Sequence, residues 1–256
     1  MLPTIGPIKL YTLVYVLSML AHYPAAQYWC RRMALPRRVG VWLSVLYVFG
    51  MAVGARMLYD LVQQRFDYRN YLRPGYYFEY GLWGGPLAYL VLAAQFALIH
   101  HRRRDVFDLI VLALPLPLVL AKVACLFNGC CYGLPCDWPW CVAFPVGAVT
   151  PPGIARHATQ AYEILVLLII WLVLVRLDRR RWGGLLTLWF VFLYGLGRPL
   201  TEVFRAPDAM RPSAGMITTS QLVCLAGAIA AAAALLALRP RRSPGEPSVG
   251  LVRSHS

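Results

Sequence analysis

Hydrophobic positions along this chain gather into seven runs, at residues 8–30, 41–62, 80–100, 106–127, 159–177, 183–204 and 217–238. Each is about 19 to 23 residues long, enough for a helix rising 1.5 Å per residue to cross a hydrocarbon layer of about 30 Å. Apolar side chains fall on every face of the runs and never settle into two-residue alternation, which favours lipid-embedded helices over barrel strands. The pattern predicts an all-α membrane protein with seven transmembrane helices.

Charge fixes an expected orientation. Of 256 residues only 14% are charged, yet the formal net charge is +14. Arg31, Arg32, Arg37 and Arg38 follow the first run; His100, His101 and three arginines at 102–104 follow the third; Arg176, Arg179, Arg180 and Arg181 follow the fifth; Arg239, Arg241 and Arg242 follow the seventh. The segments 63–79, 128–158 and 205–216 carry fewer cations. By the positive-inside rule the N-terminus is expected outside and the C-terminus in the cytoplasm. Topology and anionic-lipid contact then explain the basic clusters, and no nucleic-acid partner is expected. The first run reads as a retained helix rather than a cleaved signal, because it is long, aromatic and ends in arginines. One domain is expected over 1–238, followed by a disordered basic tail at 239–256 rich in Pro, Ser, Gly and Arg.

That orientation sorts the polar chemistry onto the outer side, where run ends and loops carry Arg56, Tyr59, Lys122, Asn128, Glu163, Tyr194, Arg198 and Glu202. Ionisable residues at membrane depth are functional candidates by default. The densest stretch is 122–133, K-V-A-C-L-F-N-G-C-C-Y-G. Arg198 and Glu202 share one helix face, with Pro199 between them able to free a carbonyl. Three cations (Arg56, Lys122, Arg198) against two carboxylates (Glu163, Glu202) leave a positive surplus, which suits a phosphate headgroup held by guanidinium forks. The competing reading is an ion-pair network that only holds the bundle together.

Cysteine is concentrated in the same region. Cys130, Cys131, Cys136 and Cys141 fall within twelve residues, Cys125 is about one turn upstream, and Cys30 and Cys224 are isolated packing residues. Four readings stay open: a disulfide involving Cys136 or Cys141, favoured on an oxidising face; a metal site, disfavoured by the lack of a C-x2-C pair; a reactive Cys130 or Cys131; and plain structural thiols. Trp138, Pro139 and Trp140 suit a headgroup-layer anchor or a gate.

Four segments resemble the prolipoprotein diacylglyceryl transferases, bacterial inner-membrane enzymes. Gly54–Tyr59, G-A-R-M-L-Y, is similar to the family's G-(G/A)-R-(I/L)-x-Y. The stretch 126–133, L-F-N-G-C-C-Y-G, resembles the end of G-R-x-G-N-F-x-N-G-E-x-x-G at Asn128, Gly129 and Gly133. R-H-A-T-Q-A-Y-E at 156–163 is similar to R-H-P-(S/T)-Q-L-Y-E, bringing in His157, Gln160 and Glu163. Y-G-L-G-R-P-L-T-E-V-F-R-A-P-D at 194–208 resembles Y-G-x-x-R-x-x-x-E-x-x-R-x-P-D. Tyr11 resembles the tyrosine of the family's first helix.

The resemblance implies transfer of the diacylglyceryl group of phosphatidylglycerol to a lipobox cysteine of a secreted lipoprotein precursor in the bacterial inner membrane, with no cofactor and no metal. It implies Arg198, Glu202, Asn128 and Tyr11 as catalytic residues, to which the reactive-thiol reading adds Cys130. It implies Arg56, Lys122, Tyr59, Tyr194, Gly129, Gly133, His157, Gln160 and Glu163 as the phosphate and headgroup site. The chain differs from the family pattern at Trp83, where the family has histidine before Gly84-Gly85, at Lys122 for arginine, at Cys125 for asparagine and at Cys130 for glutamate. Two alternatives accompany the transferase reading: a lipid-binding relative without catalysis, and a thiol-redox membrane protein.

Overall fold

The computed structural model describes residues 4–5, 8–54, 57, 60, 84–177, 184–206 and 218–238. A two-residue hairpin, β1 (Thr4–Ile5) with β2 (Ile8–Lys9), precedes α1 (Leu10–Arg32). Then come α2 (Arg37–Phe49), which runs on into a π-helical turn at Gly50–Gly54, α3 (Gly84–Ile99), α4 (Arg103–Ala113) and α5 (Pro115–Asn128). A second small ladder, β3 (Val142–Ala143) with β4 (Ala155–Arg156), sits in the long loop before α6 (Thr159–Arg176). The chain continues through α7 (Leu186–Val203) and α8 (Thr219–Ala237).

All seven apolar runs therefore contain helix. Arg37–Gly54, Arg103–Asn128, Thr159–Arg176 and Ser220–Ala237 are long and apolar enough to cross a membrane, and Ala88–Ile99 is apolar but shorter. Two further rods, α1 and α7, have the length but spend it on polar side chains: His22 and Gln27 in one, Arg198 and Glu202 in the other. The expected tail at 239–256 lies outside the described residues.

The run 106–127 holds two helices meeting at Leu114. Pro115 occupies the first position of α5, where its missing N–H leaves no gap in the hydrogen-bond ladder. The Leu114 N–H still reaches the Ile110 carbonyl at 3.0 Å, so α4 and α5 stay nearly continuous. A buried Asp108 on α4 accepts the Leu186 N–H at 3.0 Å and that of Gly184, supplying α7 with the carboxylate its N-terminus favours.

Helix α5 packs between α1 and α6, α7 packs between α6 and α8, and α2 with its π turn lies against α1 and α3. Gly50 allows a close approach of α2's π turn to α3, since a Cβ there would stand 2.7 Å from the Tyr89 nitrogen. Leu43, Tyr47, Tyr89, Leu109, Leu112, Leu174 and Leu186 fill the interior. Leu98, Ile99, Leu200, Val223 and Ile229 face outward, as lipid contact demands. In one interior polar knot His22 bonds Ser44 Oγ at 3.1 Å and Tyr89 Oη at 3.0 Å and stacks on Tyr47. It joins α1, α2 and α3.

Candidate functional site

The site begins where α5 ends. Gly129 adopts a left-handed conformation (φ 67°), its N–H bonds the Leu126 carbonyl at 3.2 Å, and the Cys130 N–H bonds the Cys125 carbonyl at 3.2 Å. That pair of bonds is the Schellman helix stop, which folds the residue after the glycine back over the last turn. Cys131 is also left-handed (φ 58°), unusual for a residue with a Cβ. The turn is gripped from α6: Gln160 Nε2 donates to the Cys130 carbonyl at 2.5 Å, and Thr159 Oγ1 donates to the Cys131 carbonyl. Thr150 Oγ1 holds the Gly129 carbonyl in the same way.

The loop 129–158 is a folded cap. Its Leu134 N–H bonds the Phe204 carbonyl at 2.8 Å and its Tyr132 carbonyl accepts the Ala206 N–H at 3.1 Å, which fastens it to the end of α7. A disulfide joins Cys136 to Cys141. Trp138 stands edge-on to His157 with centroids 5.1 Å apart, and Trp140 Nε1 donates to Tyr162 Oη at 3.1 Å. His157 bonds Tyr162 Oη at 2.9 Å and is nearly buried, so it works as part of the cap's aromatic packing. Gly133 leaves no room for a side chain: a Cβ would lie 2.6 Å from His157 Cβ and from the His157 and Phe204 carbonyl oxygens. Gly133→Ala is expected to unseat the cap and lower stability by about 1–3 kcal/mol. Limited proteolysis between 134 and 156 would rise if so, and an unchanged digestion pattern would refute the contact.

Beneath the cap lies the charge layer. Lys122 Nζ on α5 is 2.5 Å from Glu163 Oε2 on α6. The other oxygen of Glu163 is 3.6 Å from Arg198 Nη1 on α7, which also pairs with Glu202 one turn on. Arg198 Nη1 further donates to Thr201 Oγ1 at 3.2 Å. Arg198, Glu163 and Glu202 are all 5% exposed or less. Such burial is tolerable only because each charge meets its opposite.

A cavity of about 100 Å³ opens against this network, lined by Tyr15, Lys122, Cys125, Glu163, Tyr194 and Arg205 among others. Arg205 is the residue that sequence reasoning passed over. It stands just beyond α7 and reads as a loop cation, yet it is 5% exposed and borders the cavity. The signal was its place in the 194–208 motif. The layer thus brings Lys122 and Arg198 together with Glu163 and Glu202, and Arg205 borders the same cavity.

Of the residues expected from sequence, Lys122, Glu163, Arg198, Glu202 and Tyr194 meet in this layer. Asn128, Gly129, Cys130 and Gln160 form the turn above it. Tyr11 stacks on Tyr15 and is close enough to the Cys125 and Cys130 thiols to interact with them electrostatically. Gly133 and His157 belong to the cap. Arg56, Tyr59 and Trp83 lie outside the described residues. Hydrogen bonds from Cys125 and Cys130, then the charges of Lys122 and Arg205, hold the Cys131 thiol well below the usual thiol range.

Comparison with known proteins shows the family of the chain. A family model described as prolipoprotein diacylglyceryl transferase matches residues 1–237. A phosphatidylglycerol–prolipoprotein diacylglyceryl transferase of Ruegeria pomeroyi is 30% identical over 235 residues, covering 79% of this chain and 76% of the relative. One of the same description from Methylococcus capsulatus is 28% identical over 256 residues, covering 93% and 94%. Another, from Desulfotalea psychrophila, is 39% identical over 119 residues, covering 43% and 41%.

Proposed function

Since the chain belongs to the prolipoprotein diacylglyceryl transferase family, we propose that it moves the diacylglyceryl group of phosphatidylglycerol onto the cysteine thiol of a secreted lipoprotein precursor. The work is done in the bacterial inner membrane, by a chain crossing seven times with its N-terminus outside and its C-terminus in the cytoplasm. Arginines cluster at the α1–α2, α3–α4 and post-α6 ends, while the cavity sits among the opposite ends of α5, α6 and α7. That separation supports an outward-facing site.

The observation that carries the reading is a cavity lined by Lys122 and Arg205 together with Glu163, the carboxylate that Arg198 also pairs with. Attack of a thiol on the glyceryl carbon breaks its C–O bond, and the electron pair leaves with glycerol phosphate. Charge therefore grows on the phosphate as the bond breaks. Fixed cations in a low-dielectric layer stabilise that charge without reorganising. Lys122, Arg198 and Arg205, joined by Arg56, hold the phosphate. Asn128, Tyr194 and Glu202 orient headgroup and cations, Glu163 keeps Lys122 and Arg198 together, and Tyr11 and Cys130 border the acceptor's approach.

Purified chain in phosphatidylglycerol vesicles with a lipobox peptide tests this. The expected product is a peptide heavier by one diacylglyceryl group, with release of glycerol phosphate, and none from phosphatidylethanolamine vesicles. A folded chain that yields no product, and that does not rescue cells depleted of their own transferase, refutes it.

A further inference from the structure

Three thiols converge beside the cavity. The sulfurs of Cys125, Cys130 and Cys131 all lie within 4.8 Å of one another. Their meeting follows from the local backbone. A Schellman stop sets the residue after the glycine against the residue five before it, here Cys130 against Cys125. The left-handed Cys131 then turns the next side chain onto the same side. A left-handed non-glycine residue persists only where its surroundings hold it, and such outliers gather at functional sites. Thr159 and Gln160 supply the hold.

We propose that Cys125, Cys130 and Cys131 form a zinc site with three thiolate ligands, whose fourth position takes the acceptor thiol. A tetrahedral zinc with Zn–S bonds of about 2.3 Å keeps its sulfurs about 3.8 Å apart, so the ligands close on the ion by side-chain movements of about 1 Å. Three protein ligands and one open position are the pattern of catalytic rather than structural zinc. Zinc with three thiolates carries one net negative charge. Lys122 and Arg205, both within electrostatic reach of Cys131, complement it. The remaining described cysteines near the site, Cys136 and Cys141, are tied in their disulfide and do not compete. Of the three, Cys125 lines the cavity that Lys122 and Arg205 also line.

This deepens the transferase reading and rests on it. Alkyl transfer needs a thiolate, and a metal-bound thiol is deprotonated outright. The acceptor S–H loses its proton to water at the outer face as its sulfur binds zinc. A lone pair of that sulfur forms the new C–S bond, the glyceryl C–O bond breaks, and its electron pair leaves on glycerol phosphate. The thioether, neutral and a weaker ligand, dissociates and restores the open position. Deprotonation on the metal would need no general base.

The test uses the full chain in detergent, reduced, in wild-type form and with Cys136→Ser/Cys141→Ser. The double variant removes the other Cys/His grouping, with His157, that reduction would free. Wild type is expected to bind about one Zn²⁺ per chain. Loaded with Co²⁺ it should show thiolate-to-cobalt charge transfer and the visible bands of a four-coordinate ion. Cys125→Ser, Cys130→Ser and Cys131→Ser should each lower bound metal at least tenfold, and Cys30→Ser and Cys224→Ser should not. A cysteine peptide should alter the cobalt spectrum, and its serine counterpart should leave it unchanged. Folded, reduced wild type without a cobalt–thiolate band overturns the site, and a spectrum indifferent to the peptide thiol overturns the open position. Full-rate transfer by metal-free chain refutes zinc's role and leaves the transferase reading standing. Cobalt and peptide binding without transfer from phosphatidylglycerol does the reverse.

Discussion

Arg198→Ala is expected to lower diacylglyceryl transfer by about 10²–10³-fold, the loss seen when one fixed donor to a developing anion is removed. Arg198 touches both carboxylates of the layer and lies at its centre. Its removal also leaves Glu202 without its pairing charge inside the bundle, so a fall in stability accompanies the fall in rate. Arg198→Lys separates the two effects. The ammonium keeps the charge and much of the stability but cannot offer two parallel N–H groups to phosphate. The expected pattern is a melting temperature near wild type in detergent with kcat still strongly reduced. A lysine variant with wild-type kcat would show that charge alone suffices and that the fork has no part in holding the phosphate.

Glu163→Gln carries the largest expected cost in stability, about 3–5 kcal/mol, because it strips the shared counter-charge from two cations at once. The neutral amide keeps the shape, so the effect is electrostatic rather than steric. Adding Lys122→Met to Glu163→Gln should return part of that loss, since the ammonium that faced the carboxylate goes with it. A double-mutant cycle on unfolding free energies measures the coupling, expected between about 0.5 and 3 kcal/mol. Strict additivity would mean that the 2.5 Å contact contributes nothing and that the layer is held by other forces.

Much of this was readable from the residues. The seven apolar runs mark where helix forms because lipid leaves the backbone no alternative partner. Lys122, Glu163, Arg198 and Glu202 stood out because charge is costly at that depth. Three features were not legible. Asp108 looked like one more residue in an apolar run, and only the packing of α4 against α7 makes it a cap. Arg205 looked like a loop cation, because a linear reading stops at the end of the helix and does not see the cap folding over it. The three-thiol cluster escaped because motif spacing is counted along the chain. Cys125 and Cys130 are five apart in sequence, and the helix stop at Gly129 brings them together. Gly129 was the clue: a glycine that ends a helix reverses the chain, so residues on either side of it become neighbours.

The sharing of Glu163 between two helices bears on how the molecule is made. Lys122 leaves the ribosome before Glu163 exists, within an apolar segment that must itself partition into lipid. A lone lysine at mid-bilayer raises the insertion free energy by about 2.5–3.5 kcal/mol, but Lys122 stands six residues from the end of α5 and can reach upward to the interface while it waits. Glu163 arrives five residues into α6, at matching height. The α5–α6 hairpin thus carries the Lys122–Glu163 pair within itself, and α7 carries Arg198 and Glu202 together on one face.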